Sequence, residues 1–477
     1  MSKNRTVYLI IGYLLGALAI GMIPPLLLDF AQGSNNWQSF MASAGITAFV
    51  AISLILTNRG DLAPLTVKHA FLLTNWAWIA LVTFSALPLM LGENQLSFTD
   101  AFFEAMSGLT TTGSTVLSGL DEMASGTLLW RAMLNWFGGI GIIVMAISVL
   151  PMLNIGGMQL FRMESSDTSE KILPRAREIA GGILRIYLFM TFTCMIAYWI
   201  AGMSFFDALA HAMTTISTAG FSTHDESFGF FNSTSINLVA FVFILASSLP
   251  FTSYLFLTSN RLNLFWQDSQ IRVFLLTVLS ALAAMFILVQ PDIGWSHVLL
   301  NTASIISGTG YTSSDYSQWG GLAIALFFVL TFLGGCAGSA TCALKTFRLQ
   351  VLFLICRKHV RQLAVPHGVF SLKYNGKHLP DQVAYAVVSF TLIYFATFTV
   401  FSLALSFVGL DMLTAMSAAA TAIANVGPGL GETIGPNGNF ASLSDSAKWI
   451  LSAAMLLGRL EFLTVLVMLS PSFWARS

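Results

Sequence analysis

Four segments of this chain carry residue types that could replace the water around a monovalent cation. The first is Thr110-Thr111-Thr112-Gly113-Ser114. Altered copies stand at Ser217-Thr218-Ala219-Gly220-Phe221, Ser307-Gly308-Thr309-Gly310-Tyr311 and Asn425-Val426-Gly427-Pro428. A dehydrated potassium ion takes several oxygen ligands, and main-chain carbonyls supply them without fixed anions. Successive carbonyls turn toward one axis only where some residue adopts a backbone conformation that is costly with a side chain and cheap for glycine. Each copy has such a glycine, with Thr111, Thr112, Thr218, Ala219, Thr309, Asn425 or Val426 just ahead of it. None of the four holds Asp or Glu, which argues against a carboxylate filter for divalent ions.

The run before each glycine can be laid over the others. Ala105-Met106, Ala212-Met213, Thr302-Ala303 and Ala419-Ala420 fall at the same two offsets, and Asp100, Asp207, His297 and Thr414 each stand thirteen residues upstream of it. Each run is apolar but only ten to fourteen residues long, too short to span a core of about 30 Å. Irregular backbone at membrane depth is tolerated where protein or a water-filled cavity surrounds it. Four such runs in register suit re-entrant half-helices, each aiming its C-terminal partial negative charge at a shared axis. The fourth copy departs most, with Pro428 followed by Gly429 and Gly431.

The composition requires a membrane around this arrangement. Of 477 residues 56% are hydrophobic and 9% charged, against about 25% charged in a soluble domain. Spanning-length apolar runs occur near 7–30, 38–56, 70–91, 129–151, 183–204, 235–258, 271–290, 321–356, 383–409 and 447–470. The expected fold is therefore an all-α integral membrane protein of ten transmembrane helices. A two-helix hairpin (1–66) precedes four pseudo-repeats of helix, half-helix, loop and helix (67–160, 161–262, 263–362 and 363–477). The first run is too long for a signal-peptide core and lacks a small-residue cleavage site, so it reads as a retained helix. The four cysteines form no disulfide framework.

With both termini in the cytosol, nineteen of the 22 Lys and Arg residues fall on the inner side, Arg131 and Lys448 fall outside, and Arg459 lies within a span. That is a positive-inside pattern, and it places the four loops on the external half of the membrane. Acidic residues collect at the outer ends, where they would concentrate cations at a pore mouth. Asp100, Asp207 and Asp411 individually suit helix caps. His211, inside a half-helix, suits a capping or packing role rather than proton transfer, and the seven histidines show no metal-ligand spacing.

Gly334-Gly335-Cys336-Ala337-Gly338-Ser339-Ala340-Thr341 interrupts the eighth run. Three glycines there favour an unwound loop beneath the ring, since each costs about 1 kcal/mol against alanine in a helix. Close helix packing through small residues is the competing reading. Arg459 aligns with Gly139, Ser248 and Gly335 of the other second helices. A cation there would face the axis and slow flux; the competing role is a structural salt bridge. Glu461, two residues on, cannot face it from the same helix. The inner stretches Arg162–Arg185 and Arg357–Lys377 are candidate docking surfaces, the second also for anionic lipid. No glycine-rich phosphate loop occurs, so any nucleotide control needs a partner.

The fourfold arrangement and the strings STAGFS, SGTGY and ANVGPG resemble the TrkH/KtrB superfamily of bacterial potassium transporters. The two leading helices are closer to its TrkH or TrkG branch. The resemblance implies potassium uptake across the inner membrane, a homodimer with one pore per subunit and a cytosolic nucleotide-binding ring of the TrkA type. It also implies an intramembrane gating loop at 334–341 and an arginine in the last helix. Potassium would be the transported ion, with no organic cofactor and no nucleic acid. A proton- or sodium-coupled symporter is the rival, with only Arg459 and Glu461 as buried relay candidates. An enzyme is not expected, since no acid pair, metal-ligand cluster or nucleophile–base set stands at membrane depth.

Overall fold

The computed structural model describes residues 4–60, 66–148, 172–258, 262–290 and 292–475. The proposed boundary at 160/161 and the inner stretch 162–171 lie outside the described residues. The chain is mostly helical, and the described departures from helix include two pairs of two-residue strands: Leu333–Gly334 with Leu344–Lys345, and Lys373–Tyr374 with Lys377–His378. Among the described residues, six helical segments are long and apolar enough to cross a membrane: Arg5–Gln32, Trp37–Asn58, Val67–Leu91, Glu178–Ala201, Ser269–Leu288 and Asp381–Phe407. The molecule is thus a multi-pass membrane protein.

The four short apolar runs fold as helices Phe98–Leu109, Phe205–Ile216, Trp295–Ser307 and Met412–Ala424. At 1.5 Å per residue these reach about 18–20 Å, well short of a bilayer core. Their first turns explain the upstream acids. Ser97 and Ser204 cap the first two helices, each accepting from the backbone N–H of Asp100 or Asp207 and donating its hydroxyl back to that carboxylate. Asp411 caps the fourth, accepting from Thr414 N. The third starts at Gly294 with no side-chain cap. His297, in the aligned position, meets Ser313 Oγ instead.

Two runs read from the sequence as single spans are broken. Thr234–Ser247 ends before Pro250, which has no N–H to continue a helix, and a new helix starts at Phe251. Asp445–Arg459 and Leu463–Leu469 meet at 113°, because Glu461 and Phe462 both take left-handed backbone, with φ of 58° and 50°. The run 321–356 is broken as expected, into Gly321–Thr331 and Thr346–Ala364. Ser125–Ser148 is unbroken over its described residues.

The amino-terminal hairpin is anchored to this core by a buried carboxylate. Asp29 Oδ1 accepts from Gly126 N at 2.6 Å, at the start of helix Ser125–Ser148, and Oδ2 accepts from Asn36 Nδ2 at 2.7 Å. Asn36 Nδ2 also donates to Thr127 Oγ1. Asp29→Ala would leave those donors buried and unmatched, at about 1–3 kcal/mol for each lost acceptor. The expected result is a lower melting temperature in detergent; an unaltered melt would remove Asp29 as the anchor.

Candidate ion-conducting site

Each half-helix ends in the same backbone manoeuvre. The N–H groups of Thr112, Ala219, Thr309 and Val426 bond the carbonyls five residues back, those of Ser107, Thr214, Ser304 and Thr421. Each loop then holds left-handed residues two apart: Thr111 and Gly113, Thr218 and Gly220, Gly308 and Gly310, Asn425 and Gly427. Only the second of each pair is glycine in every loop. Thr111 and Thr218 are β-branched residues at positive φ, a rare state that persists where surroundings over-determine it.

The loops meet head to tail. A Cβ on Gly113 would strike the carbonyl of Ala219, one on Gly220 that of Thr309, and one on Gly310 that of Val426; one on Gly427 would press on the carbonyl of Thr112. The joints run from first loop to second, third, fourth and back to first. All four of these glycines also line one open bowl of about 510 Å³, together with Ser114, Ser222, Thr312 and Pro428. Of the residues singled out from the sequence, Thr110, Thr111, Thr112, Ser217, Thr218, Ala219, Thr309, Asn425 and Val426 are buried in or just behind this ring.

Side chains hold the loops in place in ways the sequence reading did not assign. Asn135 donates from Nδ2 to Gly108 O and accepts from Phe221 N, joining the first two loops. Arg131 meets Glu104 at 2.8 Å and donates to Ser222 O. Tyr311 places its hydroxyl 2.5 Å from Thr214 Oγ1, linking third loop to second. Asn425 donates to Thr112 Oγ1, and Ser114 donates to Gly427 O, closing fourth to first. A signal for the first two was present: Arg131 and Asn135 are polar, four apart and on one face of an apolar helix. Tyr311 gave no such signal, and Asn425 was expected in its own loop but not as a tie to the first, because their partners Thr214 and Thr112 are distant in sequence. His211 is a packing residue, held by Asp207 O and Ser222 Oγ among Phe228, Phe231 and Tyr311.

Below the ring, residues 332–345 leave the helix as a loop. Cys336 N bonds Ser248 O, Ala337 N bonds Gln270 Oε1, and Gly338 O accepts from Phe251 N. The backbone polarity of Gly334–Thr341 is thus absorbed by the break at 248–250 and by a neighbouring helix. Arg459 is buried and binds this loop, with Nη1 at 2.6 Å from Cys342 Sγ and 3.4 Å from Ala340 O, and Nη2 donating to Gly138 O at 2.8 Å. Glu461 is bound by Arg348 at 2.7 Å and Lys345 at 3.7 Å, not by Arg459. Arg459, Lys345, Arg348, Glu461 and Cys342 line one small pocket.

Several of the acids expected at the outer helix ends are engaged. Asp100 pairs with Lys448 at 2.6 Å, Glu104 with Arg131, and Asp225 accepts from Gly119 N and Leu120 N. His224, in the loop after Gly220, lies between Asp121 at 2.5 Å and Asp207 at 3.4 Å, stacked on Phe230. Burial lowers its pKa, but the hydrogen bonds and charges of Asp207 and Asp121 outweigh it and hold the value above 6.5.

Two measurements follow from this geometry. Gly119 is left-handed with open space around it, whereas Gly220 is left-handed and faces a carbonyl. Gly119→Ala should cost only the backbone term of about 1–2 kcal/mol, and Gly220→Ala clearly more; equal losses in a detergent melt would refute the joint. For His224, a raised folded pKa means its stabilisation is fully present below about pH 6.5 and lost as pH climbs through the higher folded value. The melting temperature should therefore fall above pH 6.5, and His224→Gln should flatten that part of the profile.

These features can be compared with known proteins. Residues 36–475 match the family model of the TrkH cation transport proteins. The Trk system potassium uptake protein TrkI of Halomonas elongata is 44% identical over 96% of this chain and 94% of its own length. The Trk system potassium uptake protein TrkH of Escherichia coli K12 is 36% identical over 98% and 99%. The crystal structure of the potassium transporter TrkH from Vibrio parahaemolyticus superposes with a TM-score of 0.90 at 35% identity, covering 98% of this chain and 99% of that one. Likeness of this extent in both sequence and fold, around a closed ring of glycine loops, places the chain in the TrkH family of cation transport proteins, which are transporters and not enzymes.

Proposed function

We propose that this protein takes up potassium across a bacterial inner membrane through a channel-like pore whose selectivity filter is the ring of loop carbonyls. The observation that carries the reading is the closed sequence of joints, in which each loop's glycine abuts the next loop's carbonyl. Relatives named as potassium uptake proteins, alike over nearly the whole chain, support the choice of ion. The filter would comprise Thr110–Gly113, Ser217–Gly220, Gly308–Gly310 and Asn425–Gly427, one set from each of four pseudo-repeats that follow the amino-terminal hairpin.

Residues 334–341 would form the gate. Their irregular backbone is held by side chains and carbonyls of three other segments, so a displacement of any one of them can bias the loop. Arg459 would act as an electrostatic barrier on the ion path and as a tie to that gate. The positive-inside pattern supports cytosolic termini. The basic helix Thr346–Ala364 and the strands 373–378 form a suitable cytosolic surface for a regulatory nucleotide-binding ring of the TrkA type, in a homodimeric assembly. A coupled symporter is less well supported, because Glu461, its acidic candidate, is bound by Arg348 and Lys345.

In liposomes, rubidium uptake driven by a potassium gradient should persist when the proton and sodium gradients are collapsed; its loss would favour the symporter. Arg459→Ala should raise that uptake several-fold, and unchanged flux with normal folding would reject the barrier. Gly113→Ser should lower discrimination between potassium and sodium, and an unaltered ratio would count against the ring as the filter.

A further inference from the structure

One buried ion pair stands directly behind the ring. Glu104, on half-helix Phe98–Leu109, and Arg131, on helix Ser125–Ser148, are each about 1% exposed. Glu104 accepts from Val116 N at 2.9 Å and from Thr115 Oγ1 at 3.0 Å, three and two residues beyond Gly113. Arg131 donates from Nε to Glu104 at 2.8 Å, from Nη2 to Thr115 Oγ1 at 3.2 Å and from Nη1 to Ser222 O at 2.9 Å, and its guanidinium lies 4.2 Å from the ring of Phe221. Phe221 and Ser222 are the two residues after Gly220. A single planar group is therefore fastened to the outgoing strands of both the first and second loops.

We propose that the Glu104–Arg131 pair is a positioning device that fixes the separation of the first two loops and so sets how well the ring distinguishes potassium from sodium. The inference rests on the filter reading given above. Stability alone does not require an ion pair here, because buried pairs exchanged for apolar groups of similar volume are often neutral or stabilising. What the pair adds is geometry. The guanidinium is a rigid fork that holds several acceptors in fixed directions, whereas a lysine ammonium is a mobile point charge. Arg131 reaches the wall of the bowl beside the loops and Glu104 does not; a guanidinium cannot ligate a cation, and the carboxylate bound to it offsets its charge, so the pair acts through the loops rather than by direct attraction.

The test compares potassium and sodium as competitors of rubidium uptake in liposomes, on full-length protein whose folding is checked by size-exclusion and detergent melting. Arg131→Lys keeps the charge but not the fork; Glu104→Gln keeps an acceptor for Val116 N but not the pair; Arg131→Met with Glu104→Leu removes both charges. Each should lower the potassium-to-sodium ratio by about fivefold or more, the factor that one net hydrogen bond supplies, while the folded protein still conducts. Thr115→Val, which removes one shared hydroxyl, should move the ratio the same way by less. Gly220→Ala serves as the reference. Loss of discrimination in Gly220→Ala with parental ratios in the pair variants overturns this proposal alone; parental ratios in all of them overturn the filter reading. Failure of every pair variant and of Thr115→Val to fold also overturns it, since a positioning role requires folded protein with altered discrimination.

Discussion

The arrangement depends on four close contacts between a backbone carbonyl and a residue with no side chain. A methyl group at Gly113, Gly220 or Gly310 would occupy space taken by the carbonyl of the next loop, and one at Gly427 would crowd the carbonyl of Thr112. Because each loop presses on the next, the loops cannot be adjusted independently. Thr111, Thr218 and Asn425 are held in left-handed backbone ahead of these glycines, a strained state that isolated loops would not keep. The half-helices, their caps and the polar side chains behind the loops all serve that closure.

Around the ring, charges and irregular backbone are matched across long sequence distances. Arg131 joins the first two loops, Lys448 reaches Asp100, and Arg348 with Lys345 holds Glu461 at the bend of the last helix. In an apolar surrounding an unmatched group of either kind is expensive. Each pair therefore restrains its two elements strongly. The interrupted stretch at 332–345 is another example, with its N–H and C=O groups bonded to the break at 248–250 and to Gln270. Arg459 and Glu461 are near neighbours in sequence yet take different partners, one on the loop and one on the helix that follows it.

Much of this was legible from local pattern. The short apolar runs became half-helices, Asp100, Asp207 and Asp411 appear in their capping turns, and His211 is a packed side chain. The glycine-rich interruption is unwound at the expected place. Two breaks were not anticipated. Pro250 lies in an otherwise continuous apolar run, and the left-handed turn at Glu461–Phe462 uses residues with no intrinsic preference for it. Hydropathy counts apolar residues and is blind to whether the helix between them is continuous. The first left-handed position of three of the loops was likewise hidden, since Thr111, Thr218 and Asn425 do not advertise positive φ as the Gly308 of the third loop does.

By itself the sequence determined that this chain lives in a membrane, where its short runs lie and which residues end them, because those properties follow from composition, spacing and local backbone preference. Only the tertiary structure decided which carbonyl faces which glycine, which acid neutralises Arg131 and Arg348, and that Arg459 binds Cys342, Ala340 and Gly138. Those contacts join residues up to 321 positions apart. No local preference encodes such a pairing; it exists only once separate helices have packed and each buried polar group has taken the partner left within reach.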